Sequence, residues 1–313
     1  MTVLEAIQKS AEFLGKKNID SPRLQTELLL AHLLKMPRMK LYLNFERALS
    51  AEETNQFREL IKRRGQREPL QHITGSTSFC GFEIAVNRHA LVPRPETELL
   101  AEAGWNFLST INHQPSTALD FGTGTGCIAI ALAAKCPMAK ITAIDISLDT
   151  IALAKENAGK NNVAEQIEFF QGNGFETLQN VGQASRLFGE RASASESLPS
   201  ASLAATGKVP VLLFDLIVSN PPYIPTAEIE TLQPEVKNFD PRNALDGGVD
   251  GLDFYRMFAT RAKPFLKPDG KIMLEFGDGQ AEAIRKIFEN EKWIVGQIKS
   301  DYSQRERILI AKK

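Results

Sequence analysis

The spacing of apolar and polar positions divides the chain into a helical first part and an alternating second part. Up to about residue 72, apolar residues recur with a helical period. Two helix starts are marked by a hydroxyl residue with a glutamate three positions later, Thr2 with Glu5 and Ser50 with Glu53. This is the spacing of a capping box, which satisfies free N–H groups at a helix N-terminus. The pattern predicts a small helical domain over residues 1–72.

Residues 73–95 have a different character, because glycines and alternating apolar residues such as Phe79, Phe82 and Ile84 replace the helical period. This pattern is typical of a short hairpin. The prolines at the end of this segment then open a helix. We predict a hairpin linker over residues 73–95, followed by a second domain over residues 96–313.

The second domain alternates short apolar segments with helical patterns. The predicted strands are residues 118–120, 141–145, 167–171, 213–219, 271–276, 293–298 and 305–311. Such alternation favours an α/β fold with a largely parallel sheet, and the last two strands are expected to close it as an antiparallel pair. Residues 182–210, rich in Ser and Ala, fit neither pattern and are predicted to be a disordered surface insertion.

Composition narrows the classes of protein that remain. Lys and Arg number 37 against 38 Asp and Glu, which argues against a surface built to bind a polyanion. The three cysteines lack metal-ligand spacing, so we expect no metal and reduced thiols in a cytoplasmic protein. No apolar run approaches the ~20 residues of a membrane span, and the N-terminus lacks the features of a secretory signal.

A glycine-rich turn follows the strand that ends at Asp120. The run Gly122-Thr123-Gly124-Thr125-Gly126 leads into a predicted helix, whose free N–H groups suit a ligand's acceptor atoms. Asp145 ends the next strand, where a carboxylate can accept both hydroxyls of a ribose. Cys127 stands where a dinucleotide fingerprint would have its third glycine, which favours S-adenosyl-L-methionine over NAD. The alternatives are a tight turn without a ligand and, for Asp120, either a contact to the cofactor's ammonium or a strand-end cap.

The tetrapeptide Asn220-Pro221-Pro222-Tyr223 directly follows the buried strand predicted at 213–219. An amide nitrogen is a poor nucleophile because its lone pair is delocalised, and two acceptors aimed at its N–H groups can turn that lone pair toward a methyl group. The Asn220 side-chain oxygen and the Pro221 carbonyl are candidate acceptors, and the prolines stiffen the turn that holds them. Tyr223 offers a ring on which a planar amide or base can stack. The turn and the glycine loop together predict a Rossmann-like class I methyltransferase domain behind the small N-terminal helical domain.

The chain resembles the release-factor glutamine N5-methyltransferases (PrmC/HemK) over nearly all of its length. Besides the two motifs above, the resemblance rests on Glu68-Pro69-Leu70-Gln71-His72-Ile73-Thr74-Gly75, Leu91-Val92-Pro93-Arg94-Pro95-Glu96-Thr97-Glu98 and Pro241-Arg242-Asn243-Ala244-Leu245-Asp246-Gly247-Gly248. It implies that the N-terminal domain docks class-1 peptide chain release factors and that the second domain methylates the glutamine of their Gly-Gly-Gln motif. It also implies that the loop 122–126 and Asp145 bind the cofactor, and that residues 220–223 hold the substrate glutamine.

The segment after the third strand departs from the family pattern. The family has an acidic residue followed by an aromatic residue near the adenine, whereas this chain has Asn173 and Gly174. We assign both to the cofactor site, with Asn173 accepting from the adenine amino group and Phe175 as the candidate replacement for the missing ring.

Two other functions fit some of these features. An adenine-N6 methyltransferase acting on DNA or RNA would use the same Asn-Pro-Pro-Tyr turn, but it would also need a basic groove for its substrate. A binding module without enzymatic activity would not need that turn. The sequence therefore favours a cytoplasmic, monomeric protein methyltransferase that does not bind nucleic acid directly.

Overall fold

The computed structural model describes residues 1–112, 115–179 and 212–313, so the insertion predicted at 182–210 lies outside the described residues. The first part is helical, with α1 Val3–Lys16, α2 Pro22–Leu33, α3 Arg38–Tyr42, α4 Ala51–Gly65 and α5 Leu70–Thr74. Both predicted capping boxes form: Thr2 accepts from the Glu5 N–H, and Ser50 accepts from the Glu53 N–H. These helices enclose their own apolar core, which includes Leu14, Leu29 and Phe57.

A two-stranded antiparallel hairpin follows, formed by β1 Ser76–Phe79 and β2 Phe82–Ala85. Phe79 and Ile84 are buried in the same core as the helices of the second domain. The hairpin is also tied down by hydrogen bonds, since the Asn157 side chain both accepts from the Ala85 N–H and donates to the Ala85 carbonyl. The predicted hairpin is confirmed, and it packs as part of the second domain.

The second domain is built on a seven-stranded sheet in the order β5-β4-β3-β6-β7-β9-β8. Its strands are β3 Thr117–Phe121, β4 Lys140–Asp145, β5 Ile167–Gln171, β6 Phe214–Ser219, β7 Leu266–Glu275, β8 Ile294–Ser300 and β9 Glu306–Lys312. Only β9 runs antiparallel to its neighbours, β7 and β8. All seven strands were predicted, as was the closing antiparallel pair, although β7 begins at Leu266, ahead of the expected start at 271.

Helices cover both faces of the sheet. They are α6 Pro95–Leu108, α7 Cys127–Lys135, α8 Leu148–Lys160, α9 at residues 174–179, α10 Pro234–Lys237, α11 Asp253–Arg261 and α12 Ala281–Asn290. Alternate strand residues face opposite layers, so Ala118 packs with α6 and α7 while Leu119 packs with α11 and α12. The order reverses between β3 and β6, which brings together the loops at the carboxyl ends of β3, β4 and β6. In open α/β sheets this switch point is where ligands bind.

A buried ion pair joins the two domains. Arg64 of α4 donates to Glu235 of α10 at 2.8 Å, and Arg67 donates to the other oxygen of the same carboxylate, also at 2.8 Å. The Arg64 side chain is only 5% exposed. In sequence, the basic residues Lys62, Arg63, Arg64 and Arg67 look like a solvated helix face, with a role in gripping a partner as the alternative. Arg64 is not solvated, because the two domains bury its guanidinium between them.

Candidate active site

A cavity of about 210 Å³ lies at the carboxyl edge of the sheet, where the loops after β3, β4, β5 and β6 meet. Most of the residues that sequence reasoning assigned to the site line this cavity: Gly122, Thr123, Gly124, Thr125, Asp145, Asn173, Gly174, Asn220, Pro221 and Pro222. Gly126 and Tyr223 do not lie on its wall, and neither do Asp120 and Phe175. The fold thus gathers two motifs that are about a hundred residues apart in sequence into one pocket.

The glycines of the loop after β3 have different structural roles. Gly122 and Gly124 have φ angles of 72° and 55°, and a Cβ built at either would meet no atom within 4 Å. Both therefore lie beside open space, as a backbone that cradles a ligand requires. Gly126 has a φ of 82°, but a Cβ there would lie 3.1 Å from the Cβ of Ala154. It allows the start of α7 to approach α8 closely.

Asp145 is positioned by the loop that it faces. One carboxylate oxygen accepts from the Gly124 N–H at 3.0 Å, and the other accepts from the Ser147 N–H at 3.0 Å. Burial raises the pKa of this carboxyl above its ordinary value, while the backbone hydrogen bonds oppose the shift. A carboxylate has about four acceptor positions, so these two bonds leave capacity for two ligand hydroxyls.

Asp120 lies behind the loop and does not line the cavity. It is fully buried, and its Oδ2 accepts from the Thr123 hydroxyl at 2.6 Å and from the Ala129 N–H at 3.1 Å. Of the two roles left open by the sequence, these contacts support the cap, since they tie the strand end to the glycine loop and to α7. Burial raises the pKa of Asp120 to about 7.

Replacing Asp120 with Asn should flatten the dependence of stability on pH. A carboxyl whose pKa is about 7 in the folded protein and 3.8 when it is free in the unfolded chain keeps its proton to higher pH when folded. The folded state then binds more protons across that window, so the free energy of unfolding falls as pH rises through it. Urea unfolding at about pH 5 and about pH 7.5 should show a smaller fall for Asp120→Asn than for the unchanged protein. Asp269→Asn, an exposed carboxyl at the opposite edge of the sheet, is the matched control, and an equal fall in both variants would contradict the assignment.

The turn after β6 carries Asn220, whose side-chain amide is oriented by a residue of α6. Its Nδ2 donates to the Thr97 hydroxyl at 3.0 Å, which leaves Oδ1 as the amide atom available to a ligand in the cavity. Thr97 is 3% exposed, so this bond is shielded from water. The motif around residues 93–98 pointed to this helix, but only the fold shows that Thr97 contacts the turn.

Tyr223 stiffens the turn from outside the cavity. Its carbonyl accepts from the Gln280 side chain at 2.9 Å, and its half-buried ring packs against the core shared with α11 and α12. A Cβ at Gly277 would lie 3.0 Å from the Tyr223 ring, so the glycine makes room for it. Burial raises the pKa of the phenol to about 12, so the hydroxyl is neutral at physiological pH.

The segment after β5 does not supply the expected ring. Asn173 and Gly174 line the cavity, but Phe175 is 1% exposed and stacks on Phe265 in the core. The expectation that Phe175 replaces the family's aromatic residue is therefore wrong. Ile146 is 57% exposed on the cavity wall directly after Asp145, and it offers a flat apolar surface there. An apolar residue directly after a strand-end carboxylate was the signal in the sequence that could have identified it.

Two further observations concern metal binding and membrane insertion. Across the described ranges, no cluster of His, Cys, Asp and Glu has the arrangement of a metal site. Across the same ranges, no helix has the length and apolar content needed to span a bilayer.

Both parts of the chain match known protein families. Residues 5–75 match the PrmC N-terminal domain, and residues 101–183 match the methyltransferase small domain. The release factor glutamine methyltransferase of Geobacter sulfurreducens is 39% identical over 289 residues, which cover 92% of this chain and 88% of that protein. The enzyme of that name from Chlorobaculum tepidum is 37% identical, covering 98% and 95%. The one from Thermodesulfovibrio yellowstonii is 33% identical, covering 99% of each.

The strand order, the glycine loop at the switch point and the methyltransferase domain define a Rossmann-like class I methyltransferase. With the N-terminal match and relatives of this identity over almost the whole chain, the protein belongs to the release factor glutamine methyltransferase family.

Proposed function

We propose that this protein transfers a methyl group to the side-chain amide nitrogen (N5) of the glutamine in the Gly-Gly-Gln motif of class-1 peptide chain release factors. The methyl donor is S-adenosyl-L-methionine. The observation that carries the proposal is the Asn220 amide, held by Thr97 with its oxygen available to the cavity that the glycine loop also lines. The family membership supplies the identity of the substrate.

The residues around the cavity fit the proposed cofactor. Gly122 and Gly124 leave space beside their backbone that a side chain would fill. Asp145 retains acceptor capacity for the two ribose hydroxyls, and Ile146 provides an apolar surface for the adenine. Asn173, Gly174 and Asn220 line the same cavity. When bound, the cofactor supplies an electrophilic methyl group on a sulfonium that is a good leaving group.

The turn prepares the amide nitrogen for transfer. Asn220 Oδ1 and the Pro221 carbonyl accept the two N–H groups of the substrate amide, which draws the nitrogen out of conjugation. The two prolines fix the backbone of the turn before the substrate binds. Because Tyr223 is absent from the cavity wall, its contribution in this proposal is to anchor the turn rather than to stack on the amide. No general base is needed, since the methylated nitrogen can lose its proton after transfer.

The helical domain, α1 to α5, would dock the release factor, and its ion pair with Glu235 would fix that docking surface relative to the cavity. The net charge of −1 does not favour direct binding of nucleic acid. We extend the proposal to a monomer that acts in the cytoplasm, where release factors work.

Cofactor affinity should depend on Asp145. Asp145→Ala removes a charged acceptor, and such a hydrogen bond is worth about 1.5–3 kcal/mol, so affinity should fall roughly 10- to 150-fold. Calorimetry with S-adenosylhomocysteine measures this directly. Asp269→Ala removes an exposed carboxylate at the opposite edge of the sheet and should leave affinity unchanged. Equal affinity in the Asp145→Ala variant would remove this residue from the site.

One assay tests the function as a whole. Labelled methyl transfer is measured from S-adenosyl-L-methionine to three acceptors: a purified class-1 release factor, its Gly-Gly-Gln variant with Gln→Ala, and a DNA or RNA substrate rich in adenine. Transfer to the first acceptor alone supports the proposal. Labelling of adenine with none in the release factor would replace it with the adenine-N6 activity, and no transfer to any acceptor would leave a binding module.

A further inference from the structure

A line of buried polar groups runs from the catalytic turn into the sheet. Asn220 Nδ2 donates to Thr97 Oγ1 at 3.0 Å. Thr97 also faces the carboxylate of Glu275, the last residue of β7. Thr97 is 3% and Glu275 2% exposed, and one Glu275 oxygen has no hydrogen-bond partner among the described residues. Burying a carboxylate with one unpaired oxygen costs free energy, so its presence in the native fold calls for an explanation.

The direction of the hydrogen bond between Asn220 and Thr97 determines which end of the Asn220 amide meets the substrate. A hydroxyl has a single proton to donate. If Thr97 gives that proton to the Glu275 carboxylate, its oxygen can only accept from Asn220, so Nδ2 must face Thr97. The Asn220 oxygen is then left for the substrate, and an acceptor is what an amide N–H requires.

The geometry points to Thr97 and Glu275 as positioning residues that fix the rotamer of the Asn220 amide so that it presents its oxygen to the substrate nitrogen. This inference rests on the proposed function for its kinetic consequences. Neither residue touches the reacting atoms, and both act through Asn220. Nothing in the motif Asn-Pro-Pro-Tyr itself prevents the Asn220 amide from rotating by about 180° and exchanging its oxygen and nitrogen. The orientation of the amide must therefore be set by the groups behind it.

The charge state of Glu275 gives the arrangement a pH dependence. Burial raises the pKa of Glu275 to about 7, and Glu96 at the start of α6 raises it further. Thr97, Arg307 on β9 and Arg94 before α6 lower it, and the phenol of Tyr223 also faces this carboxylate. Tyr255 donates to the Glu275 backbone carbonyl and not to the carboxylate. When Glu275 is protonated, its own O–H can donate to Thr97, and the hydroxyl proton becomes free to bond the Asn220 oxygen. The acceptor for the substrate is then lost.

Kinetics separates a positioning role from a structural one. Thr97→Val keeps the shape of the side chain and removes the hydroxyl. We expect kcat to fall about tenfold, which corresponds to the free energy of one hydrogen bond. Thr97→Ser should restore most of the rate. Glu275→Gln introduces a donor toward Thr97 and should lower kcat at least as far, with the wild-type rise in kcat through about pH 7 lost. S-adenosylhomocysteine affinity should change little in all three variants, and Thr142→Val, on β4, controls for the stability lost with a buried hydroxyl.

A spectroscopic readout needs no substrate. The side-chain amide resonance of Asn220, identified by its loss in Asn220→Ala, should move with pH near 7 in the wild type and stay fixed in Glu275→Gln. Asp120 also has a pKa of about 7, so Asp120→Asn should retain the titration. A resonance that does not titrate, or a Thr97→Val variant with wild-type kcat, would overturn the inference. If the titration is present and no release factor is methylated, the proposed function fails while the positioning of Asn220 stands.

Discussion

Asn220→Ala should reduce the rate of glutamine methylation about 10²–10³-fold, the typical cost of removing one preorganised polar group that acts on the transition state. The effect belongs in kcat rather than in cofactor affinity, because the Asn220 oxygen faces the amide nitrogen in the proposed complex. Turnover is measured on a release factor with its motif glutamine intact, and S-adenosylhomocysteine affinity is measured alongside. We expect that affinity to change little, although Asn220 also lies on the cofactor wall.

The aspartate variant tests whether an acceptor is the essential feature. Asn220→Asp keeps an oxygen toward the substrate and adds a negative charge near the sulfonium, so it should retain more activity than Asn220→Ala. Asn106→Ala, on the exposed face of α6, is the matched control and should turn over at the wild-type rate. A wild-type rate in Asn220→Ala would show that the turn is not catalytic.

The sequence predicted the features that depend on neighbours close along the chain. Both capping boxes follow from residues three positions apart, and the positive φ of Gly122 follows from the tight turn after β3. The strands were predictable because a sheet buried on both faces reads as continuous apolar runs. Their ends then placed Asp145 and Asn220 at one edge.

The features that were missed depend on contacts distant in sequence. Thr97 and Asn220 are 123 positions apart, and no local pattern pairs them. Phe175 is two positions from Asn173, yet the turn at Gly174 directs its ring into the core, where Phe121 and Phe265 receive it. The basic residues of α4 look like a solvated face in isolation, and only the placement of α10 against them reveals a partner for Arg64.

Removing that partner should have the largest effect on stability. Glu235→Ala leaves the Arg64 guanidinium buried at the domain interface without its carboxylate. Breaking a buried pair in this way costs about 3–5 kcal/mol, and we expect about 3 kcal/mol, the lower end. The lower end applies because Arg64 keeps hydrogen bonds to the Gln25 side chain and to the Glu68 carbonyl. Urea unfolding of the full chain gives the change in the free energy of unfolding.

The companion variants distinguish a buried charge from a general loss of contacts. Glu235→Gln keeps the size of the side chain and removes only its charge. If the uncompensated charge of Arg64 matters, Glu235→Gln should therefore retain much of the cost of Glu235→Ala. A packing defect alone would leave Glu235→Gln close to the unchanged protein. Asp250→Ala breaks the pair with Arg256, whose side chains are 46% and 48% exposed, and exposed pairs contribute only about 0–1 kcal/mol. If Glu235→Ala costs no more than Asp250→Ala, the ion pair does not hold the domains together. A second outcome is that Glu235→Ala unfolds at a lower urea concentration and loses activity on release factor, while cofactor affinity is unchanged. The pair would then both stabilise the interface and set the docking surface relative to the cavity.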